Sequence, residues 1–349
     1  MRSLFCTADQ IGTPTGGGAV TREELRALRE LGDVDALGRE DINPLKHKIP
    51  DSPYAFDYVA DAVIVGKNTK YDLAHFYAGM FSKTVHRLKD VGTKVTYTAA
   101  AHDIRLSQEE FKTLGIPYDL PHITEPVLWA TYIEGYKSAD VVICPSSHSA
   151  TVMAGFGCQN VKIVPHGVDP ADELPLPEMF SIGYLGQVGP DKGLIYLIRA
   201  WGKLNYPDAF MRLAGANVDA MRPVIRMEGG GLVDIKGYVQ NINQLFGDVC
   251  VYVQPSVSEG FGIEVLEAMM RGRPVIVSDG AGAADVVSDG ADGFIVPKRD
   301  PDAIADRIAY LKEDRARLLR MGKAARQKAE GFLWDKIRPR YHEIWKTLQ

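Results

Sequence analysis

Two glutamates, Glu259 and Glu267, stand eight residues apart where an apolar run passes through a Ser/Gly turn into a helical pattern. The apolar run, Cys250–Val253, predicts a buried strand, and open parallel sheets bind ligands at the carboxyl ends of their strands. At about 100° per residue the two positions differ by roughly 80°, so both can face one extended ligand. Carboxylates accept hydrogen bonds from the hydroxyl groups of a sugar or ribose, and the N–H groups that begin a helix favour phosphate. The structural alternative is that Glu259 only interacts favourably with the helix dipole and that Glu267 is exposed to solvent. The Ser/Gly turn between strand and helix favours ligand binding over this alternative.

Two glycine-containing loops also follow predicted strands and precede predicted helices. The loop Gly186–Gly193 carries Lys192, whose ammonium is placed at a helix start to meet a diphosphate, although the Gly-Lys-Ser/Thr order of a Walker loop is absent. The loop Gly12–Gly18 ends in three successive glycines, which predict a flexible segment rather than a helix. Its amides could close over a phosphate or sugar before a helix near Ala19–Leu31. A solvated surface lysine and a plain connector are the alternatives that these loops leave open.

One histidine, His102, lies beyond the carboxyl end of the predicted strand Lys94–Thr98 and is a site candidate. Its neighbour Asp103 is equally suited to cap a helix. No two histidines have metal-ligand spacing and no two cysteines stand close together, so the sequence predicts no metal site. The segment Gly280–Asp285 lacks the third glycine of a dinucleotide fingerprint and lies outside the first strand–helix–strand unit, so a nicotinamide cofactor is not expected.

The composition is that of an ordinary globular chain. Of its 349 residues, 40 are Lys or Arg and 45 are Asp or Glu, which gives a net charge of −5 and no overall attraction to nucleic acid. No apolar stretch approaches the roughly 18 residues that would span a bilayer, which leaves only peripheral membrane contact open. The four cysteines are widely spaced and a chain of this length needs no disulfides, so we expect a cytoplasmic location.

Short apolar runs alternate with longer amphipathic stretches, as in doubly wound α/β sheets whose parallel strands are buried on both faces. The predicted strands are Ser3–Cys6, Ala62–Val65, Lys94–Thr98, Val141–Cys144, Lys162–Val164, Ser181–Leu185, Phe210–Ala214, Cys250–Val253 and Pro274–Ser278. The predicted helices are Thr21–Glu30, Tyr77–Asp90, Pro126–Ser138, Gly193–Leu204, Gly262–Arg271, Pro301–Leu311 and Phe332–Leu348.

A change of composition near the middle of the chain predicts a linker. The segment Ala171–Pro177 is rich in proline and acidic residues and precedes a new strand at Ser181. We therefore expect two Rossmann-like domains, residues 1–168 and 172–330, that face a central cleft. Residues 331–349 carry aromatic and aliphatic side chains at helical spacing, and this helix either crosses back to the first domain or finishes the second.

The order of these features resembles the retaining glycosyltransferases of family four, which have the GT-B fold. Ser258–Glu267 is similar to the family's Glu–seven residues–Glu motif, with Gly260, Phe261 and Gly262 in the expected place. The resemblance covers most of the chain and is strongest over residues 181–297. Further segments resemble the strand, turn and linker motifs of the family, namely Arg271–Ile276, Asp289–Pro297 and Pro165–Asp169.

The resemblance implies roles for individual residues. It implies three catalytic candidates: Lys192 at the departing diphosphate, Glu259 at the donor-sugar hydroxyls and His102 near the transferred sugar and the acceptor. It also implies a set of donor-binding residues, in which Glu267 holds the ribose: Gly16, Gly17, Gly18, Gln187, Tyr238, Val239, Gly260, Phe261, Gly262, Val265, Leu266 and Glu267. The family usually has an arginine five residues before the loop lysine, where this chain has Gln187. A neutral amide thus replaces a charged guanidinium group, which puts catalytic turnover in doubt more than donor binding.

The function that the resemblance implies is transfer of a sugar from a nucleotide-diphosphate-sugar to an acceptor hydroxyl, with retention of configuration. It implies neither a metal nor any cofactor beyond the donor, which would bind mainly to the second domain. The acceptor, on the first domain, would be a saccharide, a lipid-linked molecule or a small molecule, and no nucleic acid is expected. Three alternatives stay open: another GT-B enzyme such as a sugar-nucleotide epimerase or a phosphorylase, a catalytically weak sugar-nucleotide-binding protein, and more distantly a dehydrogenase. The donor sugar, its base, the acceptor and the oligomeric state are undetermined.

Overall fold

The computed structural model describes residues 1–8, 10–13, 15–42, 53–79, 81–99, 101, 103–115 and 126–349. Contacts divide these residues into two compact units. The first unit comprises the described residues within Met1–Ala101 and Asp119–His166, together with Trp334–Gln349. The second comprises those within His102–Tyr118, together with Gly167–Leu333. Each unit is built around one sheet with helices packed on it, as two Rossmann-like domains require.

The strands of the described chain are all parallel and form two six-stranded sheets. Their bounds are β1 (Arg2–Thr7), β2 (Asp33–Leu37), β3 (Leu73–Tyr77), β4 (Lys94–Thr98), β5 (Val141–Cys144), β6 (Val161–Ile163), β7 (Ser181–Leu185), β8 (Phe210–Ala214), β9 (Leu232–Gly237), β10 (Val251–Gln254), β11 (Val275–Ser278) and β12 (Gly293–Val296). The first sheet has the order β2-β1-β3-β4-β5-β6 and the second β12-β11-β10-β7-β8-β9. The direction of winding therefore reverses between β1 and β3 in the first sheet and between β7 and β10 in the second, and ligands of open α/β sheets bind at such reversal points.

Helices connect the strands and cover both sheets. Their bounds are α1 (Gly16–Arg29), α2 (Arg39–Ile42), α3 (Pro53–Gly66), α4 (Ser82–Asp90), α5 (Ile104–Thr113), α6 (Pro126–Ser138), α7 (Ser147–Gly155), α8 (Leu194–Leu204), α9 (Arg222–Glu228), α10 (Asn243–Phe246), α11 (Ile263–Met270), α12 (Pro301–Lys312), α13 (Arg315–Ala329) and α14 (Trp334–Lys346), with short 3-10 helices at Pro190–Lys192, Val218–Met221, Gly282–Val286 and Glu330–Phe332. None of the helices in the described ranges has the length and apolar character that crossing a membrane requires.

Three predictions of local structure are wrong, one of them only at its start: the helix predicted over Tyr77–Asp90 begins at Ser82, because Tyr77 is the last residue of strand β3. Ala62–Val65, predicted as a strand, is the last part of helix α3, because a short apolar run fits a buried strand and a helix equally well. Ala60 and Ile64, four residues apart, are buried while Val65 is half exposed, as expected for one side of a helix. The glycines Gly16–Gly18, predicted as a flexible loop, form the first turn of α1. The cause lies before them, where the Thr15 side chain accepts a hydrogen bond from the Gly18 N–H at 3.1 Å and caps the helix.

The C-terminal helix α14 packs within the first unit. Its Trp345 is fully buried, and the indole N–H donates to Thr96 Oγ1 at 3.1 Å. The same hydroxyl is hydrogen-bonded to His75 Nδ1 at 2.8 Å, and His75 Nε2 lies 3.1 Å from Glu24 Oε2 in the interior. On the same helix, Arg338 donates to the buried Glu23 at 2.6 Å. The first unit is therefore completed by the last residues of the chain.

The segment Ala171–Pro177, expected as a linker, is fastened to the second unit by arginines. Arg326 donates to the Ala171 carbonyl at 3.0 Å, and the fully buried Arg273 donates to the Leu174 carbonyl at 3.0 Å. A third arginine, Arg315, donates to the Pro177 carbonyl at 2.7 Å. These carbonyls lie outside any helix or strand, so the guanidinium groups satisfy acceptors that a helix or sheet would otherwise satisfy.

Candidate functional site

Lys192 is positioned by a tight turn at the carboxyl end of β7, the strand at which the second sheet reverses. The 3-10 helix Pro190–Lys192 closes with the Lys192 N–H donating to the Gly189 carbonyl at 3.0 Å. Gly193 follows in the left-handed region at φ +65°, and a Cβ there would stand 2.1 Å from the Pro255 carbonyl oxygen. Glycine at this position thus lets the turn approach the loop that follows β10.

The loop after β10 carries Glu259 and is held from two sides. The N–H groups of Val257 and Ser258 donate to the Asp191 carbonyl at 2.7 and 3.2 Å, which joins this loop to the Lys192 turn. On the opposite side, the Glu259 N–H donates to the Gly280 carbonyl at 3.0 Å, and its carbonyl accepts from the Gly282 N–H at 3.0 Å. The segment rejected as a dinucleotide fingerprint is therefore a support for the Glu259 turn.

These supports bring two predicted catalytic side chains into contact. The Lys192 ammonium donates to the Glu259 carboxylate, and Asp191 Oδ2 lies 3.5 Å from the same nitrogen. Although burial opposes the charge of Lys192, the carboxylates of Glu259 and Asp191 raise the pKa of this amine above its ordinary value. Lys192 is therefore a fixed positive charge at the reversal point of the second sheet.

Helix α11 begins directly after the Glu259 turn. Its cap, Gly262, has φ +93° and offers no side chain to the N–H groups of the first turn. Val265 and Leu266 have buried side chains, and the Val265 N–H donates to the Gly262 carbonyl at 3.1 Å. Phe261 is also buried, while its carbonyl accepts from the Ala283 N–H at 2.7 Å. Any contact of these apolar residues with a ligand would therefore run through their backbone.

Two further carboxyl groups lie on α11. Burial raises the pKa of Glu267 to about 7 despite the opposing charge of Arg271. Burial, together with the charges of Glu267 and Glu259, raises the pKa of Glu264 to about 8. Glu264 was not singled out from the sequence. The signal was a glutamate within the apolar run Ile263–Leu266, where a solvated side chain is not expected.

The remaining donor-binding candidates occupy several places. Tyr238 and Val239 directly follow β9, and 64% of the Tyr238 surface is exposed. Gln187 follows β7 with an exposed side chain, and its carbonyl accepts from the Tyr184 hydroxyl at 3.0 Å. Gly16–Gly18 lie in the first unit, at the start of α1 after β1. His102 lies outside the described residues.

The structure thus gathers part of the predicted set within the second unit, at the carboxyl ends of β7 and β10. That part comprises Gln187, Lys192, Glu259, Gly260, Phe261, Gly262, Val265, Leu266 and Glu267. In the ranges that the structure describes, no three His, Cys, Asp or Glu side chains are grouped so that they could hold a metal ion.

Solved structures share this architecture. Sucrose-phosphate synthase from Thermosynechococcus elongatus superimposes with a TM-score of 0.80 at 18% identity, over 100% of this chain and 99% of that one. HepE from Anabaena, crystallised with UDP-glucose, superimposes with a TM-score of 0.73 at 21% identity, over 99% of this chain and 100% of that one. Likeness at this level of identity shows the fold, which is the two-domain GT-B arrangement of two Rossmann-like domains.

Curated relatives match in sequence. A glycosyltransferase of Methanocaldococcus jannaschii, MJ1607, whose own function is uncharacterised, is 27% identical over 79% of this chain and 75% of the relative. The D-inositol 3-phosphate glycosyltransferase of Kribbella flavida is 28% identical over 54% of this chain, and the match spans about half (51%) of that relative. The family "Glycosyl transferases group 1" matches residues 172–328, and "Glycosyltransferase Family 4" matches residues 13–172. The chain therefore belongs to the family-four glycosyltransferases of the GT-B fold.

Proposed function

We propose that this glycosyltransferase moves a sugar from a nucleotide-diphosphate-sugar to an acceptor hydroxyl, with retention of configuration and without a metal or other cofactor. The observation that carries the proposal is the contact between the Lys192 ammonium and the Glu259 carboxylate beside the start of α11. A sugar diphosphate needs a cation and free helix-start N–H groups for its phosphates. It also needs a carboxylate that accepts hydrogen bonds from the sugar hydroxyls.

The diphosphate would take its charge partners from the second unit. An ammonium has three N–H donors, so Lys192 can keep its bond to Glu259 and still donate to a phosphate oxygen. Gly262, as the cap residue, has no side chain that would occupy the place of a phosphate at the start of α11. At neutral pH the raised pKa of Glu264, about 8, keeps this carboxyl mainly protonated and lowers the negative charge that an incoming diphosphate would meet.

In the proposed reaction, the bond between the anomeric carbon and the phosphate oxygen breaks, and a bond from that carbon to the acceptor oxygen forms. The acceptor's proton passes to the released diphosphate, whose new charge Lys192 stabilises. Attack from the face that the diphosphate leaves retains the configuration. Glu259 would hold donor-sugar hydroxyls and Glu267 the ribose.

The named relatives suggest which substrates to test first. The HepE structures contain UDP-glucose, or UDP with glucose, so UDP-glucose is the first donor to offer. One relative is named a poly(glycerol-phosphate) alpha-glucosyltransferase and others act on D-inositol 3-phosphate, so phosphorylated polyols are the first acceptors.

Replacing Lys192 tests the proposal. We expect Lys192→Ala to lower kcat by about 100- to 1000-fold, the usual effect of removing one preorganised donor to developing negative charge. Lys203→Ala is the matched control, because Lys203 lies on α8 and pairs with Asp302 at the surface. Initial rates of UDP release in the presence of acceptor make the comparison. Wild-type rates in Lys192→Ala would remove the proposed role of the lysine.

The stereochemistry and metal independence have their own tests. The anomeric configuration of the product, read from its proton NMR coupling, should equal that of the donor, and EDTA should leave the rate unchanged. Inversion, or a loss that Mg²⁺ or Mn²⁺ reverses, would contradict the proposal. Conversion of the donor without any acceptor would favour an epimerase, and donor binding without turnover would favour the weak binding protein that Gln187 suggests.

A further inference from the structure

Helix α5 belongs to the second unit, although β4 before it and α6 after it belong to the first. It packs against the turn Pro190–Lys192, which carries the proposed catalytic lysine. A helix from the first half of the chain thus packs against the turn of the second unit that carries Lys192. What fastens it there decides how firmly this turn is held.

The C-terminal part of α5 is fastened by Glu110. This residue is fully buried, and its carboxylate accepts a hydrogen bond from the Tyr196 hydroxyl on α8. Its other oxygen accepts from Arg299 Nε at 2.6 Å. Arg299 itself has a left-handed backbone at φ +63°, which is unfavourable for a residue with a side chain, so the structure holds this arginine in place. A buried carboxylate with two such donors is a directed attachment and not a solvated surface charge.

The start of α5 is fastened to the Glu259 loop. Asp103 caps the helix, with its carboxylate accepting from the Arg105 N–H at 2.9 Å. The Asp103 N–H itself donates to Ser258 Oγ at 2.7 Å. Ser258 is fully buried and precedes Glu259 directly. The two ends of α5 therefore connect the Glu259 loop with α8, and the Lys192 turn lies against the same helix.

We propose that Glu110 is a positioning residue for sugar transfer, because it holds α5 against the Lys192 turn and keeps the bond between Asp103 and Ser258 beside Glu259. The proposal rests on the proposed function for the reaction, while the attachment itself can be tested without it. Glu110 acts through α5 and touches no reacting atom. Its loss should therefore affect the alignment of the reacting groups more than the affinity for the diphosphate.

The principal variant is Glu110→Gln, which keeps the shape of the side chain and removes its charge. We expect kcat with UDP-glucose to fall about tenfold, while the Kd of UDP changes by less than twofold. Glu109→Gln is the matched control, since Glu109 is 58% exposed and contacts the same arginine at 3.2 Å; its kcat should stay within twofold of wild type. An unchanged kcat in Glu110→Gln, or equal losses in the two variants, would overturn the proposal.

A double-mutant cycle separates positioning from general weakening. If Glu110 acts through the bond between Asp103 and Ser258, then Ser258→Ala combined with Glu110→Gln should cost little more than the worse single variant. Multiplied losses would overturn the proposal. Should Glu110→Gln fail to fold, Tyr196→Phe removes one hydrogen bond to the same carboxylate and should lower kcat in the same direction, by about threefold; an unchanged kcat would then count against the proposal.

Hydrogen exchange tests the role of Glu110 separately from the proposed sugar transfer, because it needs no substrate. In Glu110→Gln, amide protection should fall in both α5 and the Pro190–Lys192 turn, and it should persist in α13. If the wild-type chain transfers no sugar to any acceptor, the proposed function fails. Hydrogen exchange in Glu110→Gln then tests, by itself, whether Glu110 holds α5 against the Lys192 turn. Loss of protection in both segments would support this attachment, and loss in α5 only would overturn it.

Discussion

The carboxyl group of Glu264 should make the stability of the second unit depend on pH. Its pKa is about 8 in the folded chain, against an ordinary 4.5, because of burial and the charges of Glu267 and Glu259. Between these values the folded chain keeps a proton that the unfolded chain has lost. Stability contributed by this group is therefore present below pH 4.5 and is lost as the pH rises through 8. One pKa unit corresponds to about 1.4 kcal/mol, so we expect a loss of at least about 1 kcal/mol between pH 5 and pH 9.

Removing the titrating group tests this expectation. Glu264→Gln should flatten the fall of Tm with pH and should be more stable than wild type at pH 9. The control is Glu313→Gln, because Glu313 is exposed at the end of α12 and should leave the pH profile unchanged. A Glu264→Gln profile that falls as steeply as that of wild type would show that this carboxyl does not titrate in the range.

At the scale of one element, the left-handed cap of α11 should be required both for stability and for donor binding. Gly262 has φ +93°, where an alanine costs about 1–2 kcal/mol, although its Cβ would meet Glu259 Cγ at an ordinary 3.5 Å. We expect Gly262→Ala to destabilise the second unit by that amount. Relief of the strain would shift Glu259, so, if UDP-glucose is the donor as proposed, its KM should rise several-fold.

A second glycine separates the two effects. Gly290 has a similar φ of +78° and open space around its Cα, but it lies in the turn before β12. Gly290→Ala should cost about the same stability in a denaturant titration and leave the KM unchanged. An equal rise in KM for both variants would mean that the effect on the donor comes from general loosening and not from the cap.

The elements that the sequence predicted well differ physically from those it did not. Short runs rich in apolar and β-branched residues predicted β4, β5, β7 and β8 with their observed bounds, because these strands lie inside their sheets and are largely buried. No prediction was made for β2, β9 and β12, which form edges of the two sheets. The first two of these have half-exposed residues and so lack such a run. In β3 the run is interrupted by His75, which is buried because Glu24 and Thr96 satisfy it.

In the candidate site too, features set by neighbouring residues could be predicted, whereas contacts between residues far apart in the sequence could not. Each of its turns could be predicted from glycines and from the strand before it. The contact between Lys192 and Glu259 could not, because these residues are 67 positions apart and meet only through the strand order that places β7 beside β10. For Glu264 the apolar run Ile263–Leu266 was a local signal of burial, but the neighbouring charges of Glu267 and Glu259 that help to raise its pKa meet it only in the packed structure.

At the scale of the whole molecule, the chain crosses between units more often than a simple linker would require. The first unit is closed by α14, the second takes in α5, and the segment expected to be a linker is fastened by Arg273, Arg315 and Arg326. Each unit therefore depends on residues far away in the sequence. Replacing a buried residue should therefore destabilise the unit that contains it in three dimensions, and not the segments next to it in the sequence.

Two buried tryptophans provide a matched test of this consequence. Trp345 lies at the end of the chain but inside the first unit, and Trp201 lies on α8 inside the second; both are fully buried. Replacing either with alanine should cost about 3–5 kcal/mol, because a large cavity replaces well-packed rings. Hydrogen exchange read by peptide should show that Trp345→Ala loses protection in β3 and β4 and keeps it in β7 and β8, whereas Trp201→Ala shows the reverse. Equal loss of protection in both units for either variant would mean that the two units unfold as one cooperative body.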